Sequence, residues 1–167
     1  MTLHKLTLED TEMFPEYILM MKDFYQSLEK FYQKSFLEKF SKDADINVII
    51  EQIKNPFITQ NKINWNIQYF NFILNEKASG FLIEKKYVNY PFATWIEDFY
   101  IKDKEKGFGS IMMKEFLEKC VQDQHKKVGL AVHEHNNPAI RLYEKFGFIK
   151  EGEPNKNSNY FMWKILE

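Results

Sequence analysis

Asn136-Asn137-Pro138-Ala139-Ile140-Arg141-Leu142-Tyr143-Glu144-Lys145-Phe146-Gly147-Phe148 is the stretch on which the reading of this chain turns. Pro138 suits a first helical turn, where a missing N–H loses no partner, and Gly147 suits the left-handed position after a last turn. The stretch predicts a helix opening at Asn137 and closing at Gly147, with a strand starting at Phe148-Ile149. Working back from it, Val128 to Val132 reads as a strand. Before that, Ile111, Met112, Phe116, Leu117, Cys120 and Val121 recur at helical spacing. Gly107-Phe108-Gly109-Ser110 opens that helix, and Thr94 to Ile101 ahead of it is another strand. On the far side, Tyr160 to Leu166 reads as a last strand.

The N-terminal half has a different texture. His4 to Leu8 reads as a short first strand, and Glu9-Asp10-Thr11 offers capping chemistry. Helical spacing then runs from Phe14 to about Ser27, with Pro15 in the first turn. Phe31 to Phe40 reads as a second short helix and Asp45 to Lys54 as a third, stopped by Asn55-Pro56. Asn66 to Leu74 and Ala78 to Lys86, joined at Asn75-Glu76-Lys77, predict an antiparallel hairpin. Paired strands followed by strand, helix, strand, helix, strand define an α/β chain with a mixed sheet and helices against it. No repeat divides it, and 167 residues are expected to form a single domain over 1–167.

Between the strand and the helix, Gly107-Phe108-Gly109 lets the backbone bend tightly and approach a ligand. The free N–H groups at the helix start then face an anion, and a phosphate or pyrophosphate is the natural guest. A dinucleotide fingerprint is rejected because Met112 stands where a third small residue is needed. A Walker loop is rejected because no Gly-Lys-Ser/Thr occurs.

The closing stretch resembles the final motif of the GNAT N-acetyltransferase superfamily, in which Asn, Ala, Tyr and Gly-Phe stand where Asn136, Ala139, Tyr143 and Gly147-Phe148 stand here. Lys104-Glu105-Lys106-Gly107-Phe108-Gly109 resembles its acetyl-CoA loop, with Lys104 replacing the usual Arg or Gln. The specific resemblance covers Thr94 to Phe148. It implies a mixed, mostly antiparallel sheet splayed between the fourth and fifth strands, with helices on both faces. It also implies acetyl-CoA as co-substrate. Phe99, Tyr100 and Ile101 would pair with the pantetheine arm. Lys104, Lys106, Gly107, Phe108, Gly109 and Ser110 would hold the pyrophosphate. Asn136 and Ala139 would lie along the cofactor, and Tyr143 would be the general acid.

Amide formation from a thioester needs a neutral amine, yet an alkylamine, with a pKa of about 10.4, is mostly protonated at neutral pH. A carboxylate, directly or through water, removes that proton. Glu97 and Asp98 are the candidates, and strand alternation places them on opposite faces. Ile96-Glu97-Asp98-Phe99 resembles the matching strand of diamine acetyltransferases, which favours Glu97 as base; Asp98, Glu134 or a water chain are the alternatives. An N–H of Phe99 or Tyr100 at the splay would stabilise the oxyanion.

Other residues carry weaker signals. His133 and His135 share a strand face if the strand reaches that far, and either line the acceptor pocket or end the strand as polar residues. No third ligand accompanies them, so no metal is expected. Trp65, Trp95 and Trp163 are expected in the core or at an interface rather than in a ligand cage. Cys120, the single cysteine, is expected to be buried and inert, and allows no disulfide. Arg141 is the only arginine among 23 basic residues and is expected to face solvent.

Composition narrows the function class. Hydrophobic residues at 44% and charged residues at 28% fall in the globular range. With Lys+Arg 23 against Asp+Glu 24 the net charge is -1, so neither nucleic acid nor an anionic membrane is an expected partner. No stretch nears the roughly 18 apolar residues of a membrane span. Met1-Thr2-Leu3-His4-Lys5 lacks a signal peptide's apolar core, so a cytoplasmic protein is expected. The 17% aromatic content is compatible with a homodimer interface. The leading expectation is an N-acetyltransferase acting on a primary amine of a small molecule in a ternary complex. A non-catalytic acyl-CoA-binding module and a protein acetyltransferase are the alternatives.

Overall fold

The hairpin expected around Asn75 lies within a sheet of eight strands in the computed structural model, which describes residues 2–34, 37–38, 42–60, 62–104 and 106–167. In chain order the elements are β1 (Thr2–Lys5), α1 (Phe14–Ser27), α2 (Ile46–Lys54), β2 (Phe57–Gln60), β3 (Ile63–Leu74), β4 (Lys77–Tyr87), β5 (Ala93–Ile101), α3 (Phe108–Gln122), β6 (Lys127–His133), α4 (Asn137–Lys145), β7 (Ile149–Glu151) and β8 (Asn159–Ile165). The strands run β1-β3-β4-β5-β6-β8-β7 across the sheet, with β2 pairing β3. Every neighbouring pair is antiparallel except β5 and β6.

Each element has a local cause. Asn75 and Glu76 both adopt positive φ, the two-residue turn whose twist matches a hairpin. At α2, Asp45 caps the helix by accepting from the N–H groups of Asn47 (2.8 Å) and Val48 (3.3 Å). Gly147 sits at φ 83 just past α4, as its place after the last turn requires.

Helices cover both faces. On one, Phe14, Tyr17, Met20 and Met21 of α1 and Ile49 of α2 pack on Ile67, Tyr69, Phe81, Ile83 and Tyr100. On the other, Met112, Met113, Phe116, Leu117 and Cys120 of α3 with Ile140 and Tyr143 of α4 pack on Phe70, Phe72, Leu82, Ile96, Val128 and Met162. Burying each large side chain contributes about 1.5–3 kcal/mol of transfer free energy. The alternation along β3, β4 and β5 thus sorts the two cores. Among the described residues no helix is long and apolar enough to cross a membrane.

Some expectations need correction. The first strand is Thr2–Lys5, not His4 to Leu8, because Asp10 accepts from Thr7 N–H (2.6 Å) and its hydroxyl (2.9 Å) and turns the chain there. That use takes Asp10 away from capping: α1 starts after Met13 with no side-chain cap. β2 is an addition to the expected elements; its short Phe57-Ile58-Thr59 run is paired to Asn64–Asn66 rather than left as a loop. It raises the strand count by one, so the strands expected as fourth and fifth are β5 and β6. The helix expected over Phe31 to Phe40 falls partly on residues 35, 36, 39 and 40, which lie outside the described residues.

Candidate active site

Strands β5 and β6 pair only where Ala93–Ile96 meets Lys127–Leu130, and beyond that point they part. The phase of the ladder on the other edge follows from Lys102, whose N–H bonds the Ser79 carbonyl at 2.9 Å. Main-chain groups alternate in direction along a strand, so Tyr100 and Lys102 turn theirs to β4, while Phe99 and Ile101 turn theirs to the opening.

Just above the split, the register of β4 against β5 slips. Ile83 faces Asp98 and Glu84 faces Ile96, which leaves Glu97 as the extra residue of a β-bulge. This corrects the expectation that Glu97 and Asp98 point to opposite faces. Alternation fails at a bulge, and both carboxylates line one cavity.

That cavity holds about 240 Å³ and is walled by α1 through Phe24 and Tyr25, by the split strands, and by Asn136, Ala139 and Tyr143. The Tyr25 hydroxyl donates to Asp98 Oδ2 at 2.9 Å. Enclosure by the walls, and then the neighbouring Glu97 charge, push the Asp98 carboxyl up to about 7. Glu97 instead accepts an ion pair from the buried Lys85, Nζ to Oε1 2.8 Å. Asp43 lies close enough for its charge to be felt at Tyr25 and Tyr69, and burial, with Glu97, raises its own pKa against the pull of Lys85.

Tyr143 is buried, with its ring edge-on to Phe99 at 6.4 Å and tilted on Phe148 at 5.9 Å. Burial, and then the charge of Asp98, push its phenol well above the usual tyrosine range. His133 also lines the cavity, stacked on Phe31 at 5.1 Å, and burial followed by the nearby His135 lowers its pKa. Its Nδ1 accepts the His135 N–H at 3.2 Å. The strand ends at His133, so His135 lies beyond it and the shared strand face does not form. Glu134 is not in the cavity wall and sits 3.9 Å from the His135 ring.

A second cavity of about 480 Å³ continues from the first and shares Phe24, Leu28, Phe99, Asn136, Ala139 and Leu142 with it. Tyr100, Ile101, Lys104, Gly107, Phe108, Gly109 and Ser110 also line it, together with the carboxylate-bearing Asp103. Gly107 holds φ 76 at the N-cap of α3 with open space where a Cβ would stand, so its glycine serves conformation and not clearance. At Gly109 a Cβ would reach 3.4 Å from Leu142, so this glycine brings the start of α3 against α4. The amides of Phe108 and Gly109 open the helix without intrahelical acceptors. Asn136 precedes α4 without spending its side chain on a cap. This donor set fits the pantetheine and pyrophosphate of a coenzyme A thioester.

Not every expected residue converges. Lys106 is exposed, pairs with Asp103 at 3.3 Å and lines neither cavity. The Ser110 N–H already bonds the Gly107 carbonyl at 3.0 Å, while its hydroxyl meets Lys145 Nζ at 3.1 Å. Two cations missed in the sequence line the groove. Arg141 is exposed as expected but faces it from α4, and Lys30 faces it from beyond α1. Their only signals were the singularity of Arg141 and its place in the closing motif; nothing marked Lys30. Among the described residues no group of three or more His, Cys, Asp or Glu could hold a metal.

An opened sheet, with a turn of free amides at the opening and a phenol and carboxylates beneath it, is an arrangement suited to an acyl-CoA-type transferase. The model of the acetyltransferase (GNAT) family matches residues 21–148, and the chain belongs to that family. It is 35% identical over 75 residues to the spermine/spermidine N(1)-acetyltransferase of Bacillus subtilis strain 168, covering 43% of this chain and 49% of that one. Over 76 residues it is 37% identical to a probable spermine N(1)-acetyltransferase of Bacillus subtilis subsp. natto strain BEST195, with the same coverage. The chain thus spans about half the length of the curated relatives it matches. Its fold is similar to the PaiA N-acetyltransferase of Thermoplasma acidophilum in complex with coenzyme A, with a TM-score of 0.75 and 18% identity over 98% of each chain.

Proposed function

We propose that the chain transfers the acetyl group of acetyl-CoA to a primary amine of a small cationic molecule, both substrates being bound at once. The observation that carries this reading is the junction of the two cavities. One presents amides and cations suited to a pyrophosphate; the other presents Glu97, Asp98 and Tyr143; and they meet at Phe99 and Asn136. The relatives named as spermine/spermidine acetyltransferases, matched over about half their length, support the amine class.

Acetyl-CoA, when bound, supplies a thioester carbonyl at the opening. Asp98 and Glu97 attract the acceptor's ammonium. Asp98, with a pKa of about 7, is matched to taking its proton near neutral pH. Glu97, the base favoured by the resemblance, is held by Lys85 and serves here as the charge that raises its neighbour. The Phe99 N–H, turned to the opening, donates to the carbonyl oxygen as it gains negative charge. Tyr143 keeps its proton through the working range, gives it to the sulfur as the C–S bond breaks, and regains one from the second proton that the nitrogen loses on becoming an amide. A thiol pKa of about 8.5 lies below even a free tyrosine's of about 10, and burial lifts Tyr143 further, so that transfer is uphill and needs a good hydrogen bond.

The test is acetyl-CoA turnover, read as released thiol, across polyamines, aminoglycosides, amino acids and peptides. Transfer to the small amines supports the reading. Transfer to peptides alone replaces it with a protein acetyltransferase, and tight acetyl-CoA binding without transfer to any acceptor replaces it with a non-catalytic binding module.

A further inference from the structure

A third groove, of about 370 Å³, shares Trp95 and Glu97 with the catalytic cavity and leads away across the same sheet face. Its floor follows the register. Trp95 lies beside Gly129, Gly129 beside Trp163, and Trp163 beside Ile149. One step along, Ala131 lies beside Phe161, and Phe161 beside Glu151. From β5 to β7 is three strand spacings, about 14 Å at the backbone.

The groove depends on Gly129. A Cβ there would stand 2.5 Å from Trp163 and 2.6 Å from Trp95. Its absence lets the two indoles meet over β6, 5.4 Å apart and inclined at 66°. Both are half-buried, whereas Trp65 is buried, so of the three expected in the core or at an interface Trp65 takes a core position. At the far end the Trp163 indole N–H donates to Glu151 Oε2 at 2.6 Å and pins the carboxylate at the rim.

The near end shows what these walls hold. Lys85 Nζ lies 2.8 Å from Glu97 and 2.9 Å from Gln60 Oε1, with the Trp65 ring 6.0 Å away. An ammonium is thus already seated between carboxylate, amide and indole. Glu97 is thus already ion-paired, while Glu151 accepts from Trp163 and makes no ion pair among the described residues.

We propose that this groove is a second cation subsite, which receives the distal ammonium of an extended polyamine at Glu151 while the amine to be acetylated stands at Asp98. The methylene chain lies on Trp95 and on the part of Trp163 not covered by Lys127, whose Nζ already stands 3.8 Å from the Trp163 ring centroid. The inference rests on the amine-acetyltransferase reading and adds chain length as the selected property.

The experiment compares α,ω-diaminoalkanes of increasing length with n-alkylamines of the same length, in the native protein and in Glu151→Gln. The subsite predicts that diamines gain about tenfold in kcat/KM over monoamines once long enough to cross the groove, and that Glu151→Gln removes the gain through KM. Equal values at every length, or an equal loss for both series in the variant, would overturn it. Calorimetric titration of the same amines into the protein loaded with coenzyme A separates the two readings. If no amine is acetylated, the catalytic reading fails, but tighter binding of long diamines that disappears in Glu151→Gln keeps the subsite. Equal affinities reject it.

Discussion

Glu97 and Asp98 are consecutive in β5 and yet line the same cavity, because the slip opposite Ile83 and Glu84 leaves Glu97 with no residue of β4 opposite it in the ladder. The two carboxylates have different partners: Lys85 for Glu97 and the Tyr25 hydroxyl for Asp98. Lys85 holds Glu97, and the charge so maintained adds to enclosure in raising Asp98 to about 7.

The first prediction follows from that asymmetry. As pH rises through about 7, Asp98 loses its proton and becomes able to accept one, so kcat/KM climbs along an acidic limb centred there. Asp98→Asn abolishes the limb and lowers turnover by roughly 10²–10⁴. Glu97→Gln removes a negative neighbour and leaves Lys85 unpaired, and both changes favour ionised Asp98, so the limb moves to lower pH. A limb that disappears in Glu97→Gln and survives in Asp98→Asn exchanges the two roles. The measurement is a pH–rate profile at saturating acetyl-CoA.

Tyr143→Phe keeps the ring contacts with Phe99 and Phe148 and removes only the hydroxyl. Turnover is expected to fall by roughly 10²–10⁴ while acetyl-CoA affinity stays within a few-fold. Unchanged turnover in a stopped-flow thiol assay would take the acid role from this residue.

How far the chain announced all this depends on the length scale of each feature. Helix α4 was legible because Pro138 and Gly147 are local signals at its two ends. The anion turn was legible because Gly107 must adopt a left-handed φ, and few residues do so cheaply. The bulge was not legible. Nothing within Trp95-Ile96-Glu97-Asp98 marks a slip; it is decided by how β4 and β5 must register across the sheet. Arg141 and Lys30 escaped for a related reason. Exposure and groove lining coincide, and only the approach of α4 and the end of α1 tells a solvated cation from one beside a ligand.

Asp98 also ties stability to pH. Its native pKa of about 7 exceeds the unfolded value near 3.8, so between those values the native state binds more protons than the unfolded one. Stability from this group therefore falls as pH rises through that window and reaches its lowest level above about 7. Asp98→Asn removes the dependence. The difference in Tm between pH about 5 and about 8 should shrink in the variant relative to the native protein. An unchanged difference in differential scanning calorimetry would show that Asp98 is ionised at ordinary pH.

Gly107 and Gly152 separate backbone strain from ligand binding. Both hold positive φ, 76 and 68, and at neither does any atom lie within 4 Å of the place a Cβ would take, so alanine at either meets strain without collision. Forcing an L-residue into that region costs about 1–2 kcal/mol, and both Gly107→Ala and Gly152→Ala should lower stability by that order. Only Gly107 sits at the N-terminus of α3 in the cofactor groove. Relieving strain there would rotate the leading amides away from the pyrophosphate and weaken a contact worth about 0.3–2 kcal/mol. The acetyl-CoA KM should rise about two- to thirtyfold in Gly107→Ala and stay unchanged in Gly152→Ala. Equal KM values in two variants of equal stability would show that the turn binds through its side chains, and would move attention to Lys104, Lys30 and Arg141.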